Sequence, residues 1–285
     1  LNSADQNINQ VLELDPATNQ WSQKAVMPTA RHAVKLVLFD GKVWAIGGHD
    51  GNYLNKVEIY DPATDSWITG PSLTTARNWP STWVANGRIY AVGGNDGSST
   101  YLNSIEFYDP ATNQWTQKAA MPTARYGHKL VLFDGKLWAI GGRDDSYNNK
   151  VEIYDLVNNT WTTGPSLSIA RYYPSAWVAN DRIHVAGGES AGTKLNSIEI
   201  YDPATNQWTA AGSLPENKYS ADAVVLNGKA YVVAGATAAN VFSDKVYAAT
   251  LPTPAMDLYF KDGNATAEAA TAPPLDGNLS ITLNM

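Results

Sequence analysis

The chain has no cysteine among its 285 residues. That excludes disulfides, thiolate metal ligands and cysteine nucleophiles, and leaves the redox compartment open. Histidine is scarce as well: His32, His49, His128 and His184 are the full set, and no HExxH-like spacing marks a metal site among them. Only 16% of residues are charged and the net charge is −7, so no basic field exists to hold a phosphate backbone, and nucleic acid is not expected as a partner. No apolar run reaches the roughly 18 residues that a membrane-spanning helix needs. The opening LNSADQNI carries neither an initiator Met nor a signal-peptide pattern, and reads as the start of a mature or excised piece of a longer polypeptide.

What the chain does contain is a repeat. Double glycines stand at Gly47-Gly48, Gly93-Gly94, Gly141-Gly142 and Gly187-Gly188, with a weaker Ala234-Gly235, and the period is 46 to 48 residues. Tryptophans in one phase are Trp21, Trp67, Trp115, Trp161 and Trp208, and ten residues after each lies a cation: Arg31, Arg77, Arg125, Arg171 and Lys218. Within a period every local signal is for β-structure. An alternating run such as HAVKLVLF meets Asp40-Gly41, Asn86-Gly87, Asp134-Gly135, Asn180-Asp181 or Asn227-Gly228, pairs that tolerate the positive φ of a type I′ hairpin. A second strand (KVWAIGG), a variable loop, a third strand (NKVEIYD), a DPAT turn and a short strand opening at the phased Trp complete the unit. Four antiparallel strands, a to d, that cannot bury both faces alone imply blades arranged about an axis.

The combination of DPATxxW, MPTAR or LTTAR, and a strand ending in GG resembles the kelch repeat from Ile8 to about Leu251. The resemblance implies an all-β kelch-type propeller of four-stranded antiparallel blades in which the d–a and b–c loops surround the mouth of a central channel. Copper oxidases with this fold need a Cys crosslinked to a Tyr, a chemistry closed to this chain.

The blades alternate in kind. MPTARHAVKLVLFDGKVWAIGG and MPTARYGHKLVLFDGKLWAIGG are one, LTTARNWPSTWVANGRIYAVGG and LSIARYYPSAWVANDRIHVAGG the other. Residues 8–24 read as a c–d pair that finishes a blade of the second kind, so alternation predicts six blades in a domain spanning 1–251, the sixth a composite; five is the alternative. The tail, 252–285, holds two strand-like segments, Met256–Lys261 and Leu279–Asn284, expected either to close the sixth blade or to lead into a further domain.

Recurrence argues for architecture, and function is expected where the repeats disagree. The phased tryptophans, double glycines and the glutamates Glu58, Glu106, Glu152 and Glu199 therefore read as framework. Differences fall after the cation, at His32, Asn78, Tyr126, Tyr172 and Tyr219, with Trp79 and Tyr173 one step further on in the second kind, each followed by Pro. They also fall in the b–c loops, at His49, Asp50, Asp96, Arg143, Asp144 and Glu189. With the Arg ring and Lys218 these form the expected ligand-binding set at the mouth, suited to a glycan, an acidic sugar or an acidic protein segment. The arginines have a second reading, pairing with neighbouring carboxylates to hold loops. No catalytic residue, metal or other cofactor is expected, and the function read from the sequence is a non-catalytic recognition module for a glycan or protein segment. Two alternatives are a sugar enzyme similar to sialic-acid mutarotases, with arginines on the acid group and Asp50, Asp144 or Glu189 moving protons, and a building block of a larger extracellular protein. A near-verbatim internal duplication favours a secreted or cell-envelope bacterial setting.

Overall fold

The computed structural model describes residues 7–250 except 16, 19, 99, 100, 239, 240 and 244. Two strands come first, β1 (Val11–Asp15) and β2 (Gln20–Lys24), paired only with each other. Blade I follows as β3 (Lys35–Phe39), β4 (Lys42–Ile46), β5 (Val57–Asp61) and β6 (Ser66–Thr69). Blade II is β7 (Ser81–Ala85), β8 (Arg88–Val92), β9 (Ile105–Asp109) and β10 (Gln114–Lys118). Blade III is β11 (Lys129–Phe133), β12 (Lys136–Ile140), β13 (Val151–Asp155) and β14 (Thr160–Thr163). Blade IV is β15 (Ser175–Ala179) and β16 (Arg182–Ala186), then a small b–c loop hairpin, β17 (Glu189–Ser190) with β18 (Thr193–Lys194), then β19 (Ser197–Asp202) and β20 (Gln207–Ser213). Blade V has three strands, β21 (Asp222–Leu226), β22 (Lys229–Val233) and β25 (Val246–Thr250), with β23 (Ala236–Ala238) and β24 (Val241–Phe242) as a hairpin in its b–c loop. Every pairing is antiparallel, and the a–b turns are of the type the sequence predicts: Asp40 and Gly41 have φ of 51° and 70°, Asn180 and Asp181 50° and 53°.

Five blades are therefore present among the described residues, the smaller of the two expected numbers. The six-blade count is corrected because β1 and β2 pair with no inner strands, and the segments expected to supply them lie in the tail, outside the described residues. The hairpin still stands toward blade I as each blade stands toward the next. Trp67 Nε1 donates to Ala25 O at 2.8 Å, as Trp115 does to Pro71, Trp161 to Ala119 and Trp208 to Pro165 at 2.7–2.9 Å. Trp21, in the same phase on β2, is 57% exposed where Trp115 is 6% exposed.

The cores lie between blades. One apolar cluster joins Val37, Trp44 and Ile59 of blade I to Ile89, Tyr108 and Trp115 of blade II, and similar clusters join II to III, III to IV and IV to V. Each blade buries its two faces against its neighbours, as the strand pattern requires.

A polar rivet crosses each of these junctions. The Arg77 N–H donates to Leu54 O of blade I, and its carbonyl accepts from Gly48 of blade I, both at 2.9 Å. A Cβ on Gly47 would sit 2.4 Å from that carbonyl, so the double glycine is a requirement of close approach. The Arg77 side chain, meanwhile, runs into blade II, donating to Gly93 O at 2.8 Å and pairing with Glu106 at 2.6 Å. Glu106 also accepts the N–H groups of Thr74 and Thr75. Arg31–Glu58, Arg125–Glu152 and Arg171–Glu199 repeat the pairing at 3.0–3.2 Å.

Blade V makes the same rivet with its carboxylate moved. Tyr247 stands in the phase of Glu58, and Glu216 stands where blade I has Thr29, two residues before the cation. Glu216 pairs with Lys218 at 3.1 Å and hydrogen-bonds Tyr247.

Breaking a buried pair strands a charge at a cost of about 3–5 kcal/mol. Glu106→Ala is accordingly expected to lower unfolding stability by that order in urea titrations. Asp61→Ala, which removes the partly exposed partner of Lys42, is expected to cost far less than Glu106→Ala in the same titration. In blade V, Glu216→Thr combined with Tyr247→Glu is expected to be more stable than Glu216→Thr alone, a coupling read from a double-mutant cycle.

Candidate functional site

The mouth is built from a recurring bridge. The residue after each cation pairs antiparallel with the first residue of the b–c loop: His32 with His49, Asn78 with Asn95, Tyr126 with Arg143, Tyr172 with Glu189, Tyr219 with Ala236. The d–a and b–c loops of each blade thus form one narrow ribbon beside the start of strand a. The next residue, Ala33, Trp79, Gly127, Tyr173 or Ser220, has a left-handed φ of 45–63° in every blade. Its backbone links neighbours: Trp79 N–H donates to Ala33 O at 3.0 Å, Tyr173 to Gly127 O at 2.8 Å and Ser220 to Tyr173 O at 3.1 Å. Two bulky aromatics sit in this strained region, Trp79 and Tyr173, and both line the cavity between the blades. Holding non-glycine residues there costs of order 1–2 kcal/mol each.

The structure separates the sequence-expected site residues into two groups. Arg31, Arg77, Arg125, Arg171 and Lys218 do not ring the mouth: they are 0–3% exposed and are the cations of the rivets. Burial pulls the four guanidinium pKa values down and the paired glutamates push them back up. Their second reading, loop-holding, is the one their geometry fits.

The other group converges. Tyr126 is the hub, with ring centroids 5.7 Å from Trp79, 5.1 Å from Tyr172 and 5.2 Å from Tyr101, the last stacked at 9°. Tyr172 touches Tyr173 at 4.2 Å, and Tyr173 reaches Tyr219 at 6.2 Å. On the other side His32 meets Trp79 at 6.3 Å and His49 at 5.1 Å. Burial, then the nearby His49, lowers the His32 pKa, and Asn7 Oδ1 lies 2.7 Å from its Nδ1. Tyr101 belongs to a set the sequence reading passed over. Tyr53, Tyr101 and Tyr147 close the b–c loops of blades I to III and bridge back to His49, Asn95 and Arg143; the signal was a Tyr four to six residues into each loop.

The charges at the mouth are few. Asp50, Asp96 and Asp144 accept N–H groups of Asn52, Ser98 and Ser146 at 2.8–3.0 Å, turning their own loops. Asn78 is buried. Arg143 makes no ion pair among the described residues; its guanidinium lies 4.9 Å from the Tyr147 ring and 5.9 Å from that of Tyr172. Glu189 accepts the Tyr147 hydroxyl at 2.6 Å and pairs with Lys194. Burial pushes the Glu189 carboxyl up, but Lys194, Tyr147 and Arg143 outweigh it and hold the group below its usual range. The Lys194 ammonium in turn lies 3.8 Å from the Tyr219 ring centroid. Among the described residues no group of three His, Asp or Glu side chains is placed to hold a metal ion.

Antiparallel blades riveted about a channel, with aromatic ribbons at one end, define a β-propeller. The Kelch-repeats domain model described for KLHDC2, KLHL20 and DRC7 matches residues 2–121 and again 116–254, and the chain belongs to the kelch-repeat family. A solved structure described as "Structure of YjhT" is similar in fold, with a TM-score of 0.73 at 18% identity over 84% of this chain and 87% of that one. No curated protein matches by sequence.

Trp79→Gly relieves the left-handed strain while removing a partly exposed ring. It is expected to change stability by no more than about 1 kcal/mol, whereas Trp138→Ala in the interblade core costs about 3–5 kcal/mol; equilibrium denaturation of the two variants checks this.

Proposed function

We propose that this kelch propeller is a recognition module that seats a glycan on the aromatic platform at its channel mouth, in a secreted or cell-envelope setting. The observation that carries this is the run of contacting, partly exposed rings from Trp79 through Tyr126 to Tyr101, bordered by the Arg143 guanidinium, which makes no ion pair among the described residues. Flat rings with C–H-rich sugar faces against them, and an arginine at the edge to donate to hydroxyl or carboxylate oxygens, are a chemistry for carbohydrate. The acidic-sugar enzyme reading gave the carboxylate to Arg31, Arg77, Arg125 and Arg171, and those side chains are committed to Glu58, Glu106, Glu152 and Glu199.

A protein segment would use the same rings, and the two ligands separate on a glycan array. Binding to one or a few glycans, weakened at least tenfold by Trp79→Gly and by Arg143→Gln with melting temperature unchanged, supports the proposal. Absence of glycan binding, or sugar anomer exchange seen by NMR and lost in these variants, overturns it.

A further inference from the structure

The first residue of strand a in each blade falls in one phase: Lys35, Ser81, Lys129, Ser175 and Asp222. Trp79, Tyr173 and four of these five (all but Ser175) line a cavity of about 30 Å³ that His128 also borders. Lys129 pairs with Asp222. Ser81 donates to His128 O at 2.5 Å and Ser175 to Ala221 O at 2.9 Å. The Lys35 ammonium closes no hydrogen bond or ion pair among the described residues. Neither ring nitrogen of the buried His128 has a partner among the described residues.

Two partly buried ammonium groups thus share one carboxylate around this cavity, leaving a net positive charge beside the unpartnered His128 ring. Arg125, behind His128, is neutralised by Glu152. Leaving a buried polar group unpaired is unfavourable, and an uncompensated charge more so. We propose that the channel holds a small monoanion, a halide or the carboxylate head of a larger molecule, between Lys35 and Lys129 beside Trp79 and Tyr173. The cavity exceeds the roughly 10–15 Å³ that one water requires and is too small for a sugar ring, so this site stands apart from the glycan platform and does not depend on it.

Burial and the adjacent Lys129, partly offset by Asp222, bring Lys35 down to about 8. Because only its ammonium form attracts an anion, affinity is expected to weaken as pH rises through and above about 8. His128, held neutral by burial and by Arg125 and Lys35, adds no charge change over that range.

The test titrates sodium chloride and sodium formate separately at pH 7 in a zwitterionic buffer, with the general ionic-strength effect subtracted by the same titrations of Lys35→Met. A saturable melting-temperature rise, roughly 5–10 °C at a hundredfold excess over Kd, is expected with one or both anions and tells halide from carboxylate. Lys35→Met, which removes a group without a partner, is expected to fold and to lose the saturable rise. A bromide-soaked crystal of the unaltered protein is expected to show an anomalous peak between Lys35 and Lys129. No saturable rise, an equal rise in Lys35→Met, or bromide bound only elsewhere would overturn the proposal.

Discussion

Everything at the mouth depends on the buried cation–carboxylate rivet. Its backbone belongs to one blade and its side chain to the next, so it fixes two blades and the loop between them at once. An isolated buried ion pair is weak evidence for stability, because desolvation offsets its attraction. Here the guanidinium also satisfies strand carbonyls and the glutamate also satisfies loop N–H groups. A hydrophobic replacement would leave those groups orphaned. The swap in blade V, with Glu216 taking over from the strand position that Tyr247 occupies, shows that charge balance at this point is kept while the carboxylate's position is not.

Above the rivets the protein varies what it keeps constant below. The ribbon of two loops is the same in each blade, but its tips carry histidine, asparagine, tyrosine, arginine or glutamate. At the head of strand a the residue changes from lysine to serine and back, and ends in aspartate. A near-identical scaffold thus presents an asymmetric surface and an asymmetric channel.

Much of the fold was legible because its determinants are local. Asp40-Gly41 and its counterparts set type I′ turns, Gly47 marks a close approach, and the phased tryptophans mark junctions. The blade number was not, since it turns on whether residues far apart in the chain meet, and periodicity carries no information on that. The arginines were misplaced at the mouth for a similar reason. Arg125 and Tyr126 are adjacent in sequence, and only the backbone reversal at the next residue shows that one side chain goes into the wall and the other to the rings at the mouth. Lys35 and its counterparts could have been found from the alternation Lys, Ser, Lys, Ser, Asp four residues after each cation. The pattern was hidden because strand periodicity alone does not say which face of an inner strand meets the axis.

The backbone bonds that run from Trp79 to Ala33, from Tyr173 to Gly127 and from Ser220 to Tyr173 join consecutive blades around the opening. They tie blade I to II and blades III, IV and V to one another at the opening, so within each group the rim cannot shift without pulling on the rivets beneath. A ligand reaching the channel therefore meets two tied groups of blades, and the junction between blades II and III, which has no such link among the described residues, is where the rim can yield first.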